Sequence, residues 1–224
     1  KVLNLDRPEL VEVKRCLEAE DYAGALGAYR DRLVELATSL DPGKPPGFWL
    51  WGATQAADLL KNGMVATAQY GEFGTVSRYT LGMPGQVDWN AIPEDGYDVV
   101  LRDVATMHWT SKLTEAYGKT REPAYLNAYL GYWADFARNW YPAHSQLLRG
   151  GGQIQWDKRP HVQKSINWAS KSKLYFAWRL DNLFSWLPNA IKVSPEQARE
   201  ALDPRQLATL VLHVARFEVP GAIR

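Results

Sequence analysis

The sequence predicts an all-α fold in which long helices pack as antiparallel pairs. Two observations predict it: apolar residues recur at helical spacing over most of the chain, and clusters of proline and glycine separate these stretches. The chain has 224 residues, of which 46% are hydrophobic, so it is long enough to bury a sizeable core within one large domain.

Residues 8–40 are predicted to form two helices. Pro8 suits a first helical turn and Leu10 begins one apolar stripe, and Tyr22 begins a second. A Pro- and Gly-rich loop at 41–47 precedes a third helix, from Phe48 to Asn62, which Gly63 is expected to end. Glycines and prolines punctuate residues 63–97, so we expect an irregular excursion with a short hairpin that uses Val76 to Leu81.

The second half of the chain returns to long helices. Asp98 to Lys119 and Glu122 to Tyr141 are predicted to form an αα-hairpin. Its second helix carries an aromatic stripe that is predicted to be mostly core, formed by Tyr129, Trp133, Phe136 and Trp140. Further helices are expected from Ser165 to Leu187, where Pro188 would stop the helix, from Ser194 onward, and from Pro204 to about Phe217.

Composition excludes several classes of protein. The net charge of +1 argues against a dedicated nucleic-acid binder, and no apolar run reaches the roughly 18 residues that a membrane helix needs. With Cys16 as its single cysteine, the chain can form no internal disulfide and no cysteine-based zinc site. Ten Trp and eleven Tyr are more amphipathic aromatic side chains than a core needs, which favours a wet groove where rings stack on sugars.

The segment from Arg149 to Arg179 is rich in cations. Arg159 and Lys164 lie close to His161, and the indoles of Trp156 and Trp168 are interleaved with them. Cations and aromatic faces together suit a polyanion built of rings, because guanidinium and ammonium groups bind carboxylates or sulfates while indoles stack on sugars. The alternative is a solvated helix face followed by a loop.

A second group of candidate binding residues lies on the predicted helix from Asp98. His108 and Lys112 are four residues apart, which places them on one helix face, and Trp109 is beside them. We predict that these three residues contact substrate. The alternative is a partly buried histidine that is satisfied by a neighbour.

Other chemistry has little support in the sequence. No metal-binding motif occurs, Gly150 to Gly152 form a hinge or turn more readily than a phosphate loop, and no cofactor is expected. Four carboxylates that could act as an acid and base in sugar hydrolysis cluster in the irregular excursion, namely Asp88, Glu94, Asp95 and Asp98.

Three stretches of the sequence show a family resemblance. Leu3 to Leu10 with Glu20 to Leu26, Ala57 to Trp89, and above all Met107 to Thr120 resemble the N-terminal part of heparinase II/III-like polysaccharide lyases. Tyr132 to Trp140 and the Trp168 helix continue the likeness. It therefore spans nearly the whole chain.

The resemblance implies an incomplete (α/α) toroid over residues 1–224, a periplasmic or secreted location, and an acidic, uronate-containing polysaccharide as the partner that the whole protein cleaves by β-elimination. It further implies that the catalytic helix and a C-terminal β-sandwich belong to a missing C-terminal part of the same protein, so no catalytic residue is assigned here and this fragment is expected to be inactive alone. The alternatives are an α/α-toroid glycoside hydrolase and a non-enzymatic helical-repeat interaction domain.

Overall fold

The structure is a computed structural model, and it describes residues 4–43, 53–68, 76–89, 104, 106–140 and 179–218. These residues are mostly helical, as predicted, and they include one small antiparallel sheet. In the part of the chain that the structure describes, no helix is both long enough and apolar enough to cross a membrane.

The N-terminal segment forms two α-helices, as predicted. A 3-10 turn at Pro8–Leu10 leads into α1 (Val11–Glu18), and α2 (Tyr22–Ser39) follows after Glu20, whose φ of 57° ends the first helix. Asp21 caps α2, since its carboxylate accepts a hydrogen bond from the Gly24 backbone N–H at 2.8 Å. The two helices bury a small apolar cluster between them, formed by Leu10, Val13, Cys16 and Ala25.

The predicted third helix begins later than the sequence indicated. Helix α3 runs Ala56–Asn62, and Gly63 ends it in the left-handed conformation at φ 62°, as expected. Residues 44–52 lie outside the described residues. Thr54 is not helical because its hydroxyl hydrogen-bonds the backbone of Ala66, donating to the carbonyl at 2.8 Å and accepting from the N–H at 3.0 Å.

The hairpin predicted within the excursion is present. Strand β1 (Met64–Ala68) pairs antiparallel with β2 (Val76–Thr80), in a register that places Ala66 opposite Arg78. Residues 81–89 then fold back as an ordered loop over the following helices.

The predicted helix from Asp98 to Lys119 is not continuous. Met107 has a φ of 59°, which a right-handed helix cannot accommodate, and a 3-10 turn at His108–Thr110 precedes α4 (Ser111–Thr120). Residues 98–103 and 105 lie outside the described residues. Arg121, at φ 65°, ends α4, and α5 (Pro123–Asp135) completes the predicted αα-hairpin before widening into a π turn at Phe136–Trp140.

The C-terminal helices also differ from the prediction, at Pro188. Pro188 does not stop the helix: residues 179–181 are helical, a π turn follows at Asn182–Trp186, and α6 (Leu187–Val193) continues through Pro188. Proline fits there because the π turn resets the hydrogen-bond register and Pro188 lies in the first turn of a new α segment. Helices α7 (Pro195–Ala201) and α8 (Pro204–His213) follow, and a third π turn at Val214–Glu218 ends the described chain.

Helix α5 lies at the centre of the main core. From Ala128 to Asp135 every residue is buried, and the helix packs against α3, α4, α7 and α8. Three residues of the predicted stripe, Tyr129, Trp133 and Phe136, are fully buried, which confirms that they are core, and the side chain of the fourth, Trp140, lies outside the described part of the structure. The loop at 81–89 packs closely on the same helix at Gly131, where a Cβ atom would lie 2.8 Å from the Pro84 side chain.

Gly63 provides a test of the junction between α3 and the sheet. A Cβ at this position would collide with the Gly82 carbonyl oxygen, and the Gly63 backbone is left-handed. We expect Gly63→Ala to lower the free energy of unfolding by about 1–3 kcal/mol. Urea denaturation measures this change.

Gly27→Ala is the matched control, because Gly27 lies inside α2 with no atom near its added Cβ. It should raise the free energy of unfolding by about 0.5–1 kcal/mol through helix propensity. Equal effects of the two substitutions would contradict the assigned conformation of Gly63.

Candidate functional site

The predicted residues His108, Trp109 and Lys112 lie on one short turn and the start of α4. Met107 donates its backbone N–H to the Val104 carbonyl at 3.1 Å, and the Thr110 N–H returns to the Met107 carbonyl at 3.1 Å. His108 is buried, with 4% of its surface exposed, and its backbone N–H lies 3.3 Å from the Thr106 hydroxyl oxygen. The turn is thus a tightly hydrogen-bonded unit of the core.

Lys112 is the most accessible of the three predicted residues. Its side chain is 22% exposed, and its ammonium group lies 3.2 Å from the Glu115 carboxylate one turn along α4. Since this pair is partly solvated, it contributes little to stability, and the Lys112 charge stays available to an anion that approaches this surface.

Trp109 occupies a different position from the one predicted. Its ring is fully buried, its indole N–H donates to the Val104 carbonyl at 2.9 Å, and it packs edge to face on Tyr132 with ring centroids 5.0 Å apart. A ring enclosed in this way presents no face to a sugar, so its contacts are those of a core residue. The sequence could not show this because an amphipathic aromatic ring suits a core and a groove equally well.

The predicted basic segment lies mostly outside the described residues. All five binding residues predicted in this segment lie outside the described residues, namely Trp156, Arg159, His161, Lys164 and Trp168. The last cation of the segment, Arg179, is described and is fully buried, and its guanidinium lies 5.5 Å from the centroid of the Phe136 ring. The solvated helix face considered above therefore does not extend to Arg179, which interacts with an aromatic ring of the core.

Arg179 belongs to a buried polar cluster that the sequence analysis did not identify. His213, which is 3% exposed, meets the Phe136 ring edge to face at 5.6 Å, so Arg179 and His213 pack on the same ring, and the fully buried Asn182 lies three residues after Arg179. Phe136, Asn182 and His213 each lie within or directly beside one of the three π turns in the described part of the chain. Because π turns occur often at functional sites, the Phe136 ring, with Arg179 and His213 packed on it, is a candidate site.

One feature of the sequence points weakly to this cluster, namely polar side chains inside apolar runs. Arg179 interrupts the apolar run from Leu174 to Leu180, and His213 interrupts the apolar face of its helix. A charged or imidazole side chain inside such a run must be either exposed or satisfied by polar neighbours. Helical spacing alone cannot decide whether such a side chain is exposed or buried with polar neighbours, because a π turn shifts the helix face on which each residue lies.

Asp135 forms a second buried polar centre, on the last turn of α5. Its carboxylate accepts hydrogen bonds from the Gly85 backbone N–H at 2.6 Å, from the Trp89 indole at 2.8 Å and from the Asn139 amide at 2.7 Å. These donors compensate the loss of hydration of a carboxylate that is only 3% exposed. Asp135 therefore fastens the 81–89 loop to α5.

Two buried tyrosines of α5 complete the polar contacts of this helix. The Tyr129 hydroxyl donates to the Asn182 side-chain oxygen at 3.2 Å, and the Tyr132 hydroxyl lies 3.0 Å from the Leu59 carbonyl oxygen. Burial raises the pKa of Tyr129 well above its usual range. Burial raises the pKa of Tyr132 as well, and the nearby Asp135 charge adds to that shift.

The described ranges contain few side chains that could bind a metal ion or act as the acid and base of sugar hydrolysis. Within residues 4–43, 53–68, 76–89, 104, 106–140 and 179–218, no group of three or more His, Cys, Asp or Glu side chains could hold a metal ion. Of the four carboxylates considered for hydrolysis, Asp88 is described, and Glu94, Asp95 and Asp98 lie outside these ranges.

Comparison with known proteins gives a likeness of fold. No family model matches the sequence, and no curated protein matches it either. Among solved structures, the chain is similar to heparan sulfate lyase HepC from Pedobacter heparinus, with a TM-score of 0.56 and 16% sequence identity. The alignment covers 95% of this chain and 30% of that lyase. The chain thus has a fold like part of a polysaccharide lyase, and it spans less than a third of that protein's length.

Removal of the Asp135 carboxylate tests its role in holding the loop. We expect Asp135→Ala to lower the free energy of unfolding by about 2–3 kcal/mol, because the Gly85 N–H and the Trp89 indole would lose their buried acceptor. Faster amide hydrogen exchange at Gly85 should accompany the loss. Asn139→Ala removes one exposed partner of the same carboxylate and should cost less than about 1 kcal/mol. Comparable losses in both variants would contradict this assignment.

The two buried tyrosines predict that stability falls at alkaline pH. Tyrosine ordinarily titrates near pH 10, so above about pH 10 the unfolded chain releases these phenolic protons while the folded chain keeps them. Stability from this source is complete below that pH and is lost as the pH rises, at up to about 1.4 kcal/mol per pH unit for each tyrosine.

Urea denaturation at several pH values between about 8 and 11 measures this slope. The Tyr129→Phe and Tyr132→Phe double variant should show a shallower decline, because it lacks both titrating groups. Tyr22→Phe is the control, because Tyr22 is 65% exposed and its removal should leave the slope unchanged. A slope that is the same in wild type and the double variant would refute the expectation.

Proposed function

We propose that this chain is the N-terminal toroid region of a polysaccharide lyase and forms one wall of a groove that binds an acidic polysaccharide. The observation that carries the proposal is the likeness of fold to heparan sulfate lyase over 95% of this chain. Paired helices around a buried aromatic helix support the toroid, since the α4–α5 hairpin and the α1–α2 pair are the kind of unit from which such a ring is built.

The proposed binding surface combines cations with aromatic rings. Lys112 contributes from the first turn of α4 and His108 from the buried 3-10 turn before it, and the basic segment contributes Arg159, His161 and Lys164 with the indoles of Trp156 and Trp168. Cations would bind the carboxylates or sulfates of the glycan, and indoles would stack on its sugar rings. Trp109 is part of the turn that carries His108, and it contributes by anchoring that turn on Tyr132 of α5 rather than by stacking on a sugar.

Cleavage by β-elimination is proposed for the whole protein. In that reaction a base removes the proton at C5 of the uronate, and the bond from C4 to the glycosidic oxygen breaks as the C4–C5 double bond forms. We assign no catalytic residue to this chain. A periplasmic or secreted location is part of the same proposal, since an extracellular polysaccharide would be met there.

Binding of heparan sulfate oligosaccharides to the 224-residue chain tests the proposal. Calorimetry should show binding that weakens as salt rises and that exceeds binding of a neutral oligosaccharide such as a cellulose fragment. Lys112→Ala should cost on the order of 1 kcal/mol or less of binding free energy, because its site is partly solvated. Lys119→Ala is the control, since Lys119 is an exposed lysine on the same helix and should leave affinity unchanged.

The basic segment gives a second arm of this test. Arg159→Ala with Lys164→Ala should reduce the preference for the acidic over the neutral oligosaccharide, whereas Trp156→Ala should weaken both by about 1–2 kcal/mol. Equal affinity of the wild-type chain for acidic and neutral oligosaccharides would refute the proposed function. Appearance of an unsaturated uronate, followed by its ultraviolet absorbance, would show that the chain also carries catalytic groups.

A further inference from the structure

The turn that carries His108 depends on a backbone conformation that its own residue disfavours. Met107 is a fully buried residue with φ 59° and ψ 6°, in the left-handed region where a side chain with a Cβ is strained. Strain of this kind persists where surrounding contacts determine the conformation, and it is found often at functional sites.

The Met107 carbonyl receives an unusual number of hydrogen bonds. It accepts from the Thr110 N–H at 3.1 Å, from the Thr110 hydroxyl at 2.6 Å and from the Asn182 side-chain amide at 2.7 Å. The first two donors belong to the turn itself. Asn182 is the donor that comes from a distant part of the chain, 75 residues away.

The hydrogen bonds of the Asn182 side chain serve this turn. Its amide N–H groups reach the Met107 carbonyl and, at 3.2 Å, the Thr110 hydroxyl oxygen, while its side-chain oxygen accepts from the Tyr129 hydroxyl. Because the Met107 carbonyl can only accept, the amide must turn its N–H groups toward it, and its oxygen then faces the Tyr129 hydroxyl, which donates to it. The series of contacts from Tyr129 through Asn182 to Met107 is fully buried, so each bond is costly to break.

The π turn places Asn182 where it can make these bonds. Asn182 is the first residue of the π turn at Asn182–Trp186, which lies against α4 and joins α6. The wider turn directs the amide inward while Phe184, two residues later, is exposed. The hydrogen bond from the Asn182 amide to the Met107 carbonyl therefore joins the π turn to the left-handed residue Met107.

We propose that Asn182 is a positioning residue that holds Met107 in its left-handed conformation and so sets the placement of His108 and Lys112 for glycan binding. The inference rests on the proposed function for its consequence in binding. Its structural part, the placement of His108, is independent of any ligand.

The test compares the effect of Asn182→Ala in three backgrounds, namely wild type, Met107→Ala and Met107→Gly. Glycine adopts the left-handed conformation without strain, whereas alanine keeps the Cβ that causes it. Both substitutions remove the buried methionine side chain, so the cavity is nearly the same in the two, and they differ by the Cβ alone. A double-mutant cycle then separates strain from packing.

Two readouts are made on the full chain. The first is the NMR signal of the His108 imidazole and its titration, and the second is the affinity for a heparan sulfate oligosaccharide. In the wild-type and Met107→Ala backgrounds, Asn182→Ala should shift the His108 signals and weaken affinity about tenfold, the equivalent of one buried hydrogen bond. In the Met107→Gly background both effects should be less than half as large. Asn189→Ala is the control and should leave both readouts unchanged, because the Asn189 amide donates to the Gly43 and Ser185 carbonyls, away from this turn.

The outcomes separate this proposal from the proposed function. If Asn182→Ala leaves the His108 signals unchanged, or if its effect is the same in the glycine and alanine backgrounds, the positioning role is wrong. If the wild-type chain binds no heparan sulfate but the His108 signals follow the expected pattern, the proposed function fails and the positioning of His108 stands. If Asn182→Ala does not fold, Tyr129→Phe in the same three backgrounds gives the same comparison, with a smaller effect expected because it frees the amide without removing it.

Discussion

The burial of α5 is the constraint on which the described structure depends. From Ala128 to Asp135 this helix has no exposed side, so the hydroxyls of its tyrosines and the carboxylate of Asp135 are satisfied inside the protein. Together they reach three elements: Tyr129 bonds the second π turn, Tyr132 bonds the backbone of α3, and both Tyr132 and Asp135 bond the 81–89 loop. A helix that must satisfy these groups internally fixes the places of its neighbours as it packs.

The irregular parts of the fold follow from the same requirement. One π turn begins at Phe136, a second begins at the buried Asn182, and a third follows His213, whose ring meets the Phe136 ring edge to face. Met107 has a strained backbone in the same region, and its carbonyl takes up the amide of Asn182. At Asn182 and Met107 these irregular turns coincide with buried polar groups that are hydrogen-bonded to each other, which offsets part of the strain.

This arrangement bears on how such a chain would bind an acidic polymer. The rings at Trp109, Trp133 and Phe136 are committed to packing, so they give rigidity rather than a stacking surface. Lys112 lies on α4, which packs against α5, and its side chain stays partly exposed. A binding surface that rests on a well-packed core loses little conformational freedom on binding, which favours affinity from a small number of contacts.

The sequence by itself determined the helical class, the two helix pairs, the hairpin, the cap at Gly63 and the core position of the aromatic stripe, because these depend on local periodicity and on glycine and proline chemistry. It also yielded the resemblance that the likeness of fold to a heparan sulfate lyase supports in part. It could not show the break at Met107, the passage of a helix through Pro188, or the burial of Trp109 and Arg179. Those features were decided by contacts between residues far apart in the chain, such as the bond from Asn182 to Met107, and by π turns that change which face of a helix a residue occupies. Helical periodicity assumes a regular turn, so it carries no information on where tertiary packing makes the turn irregular.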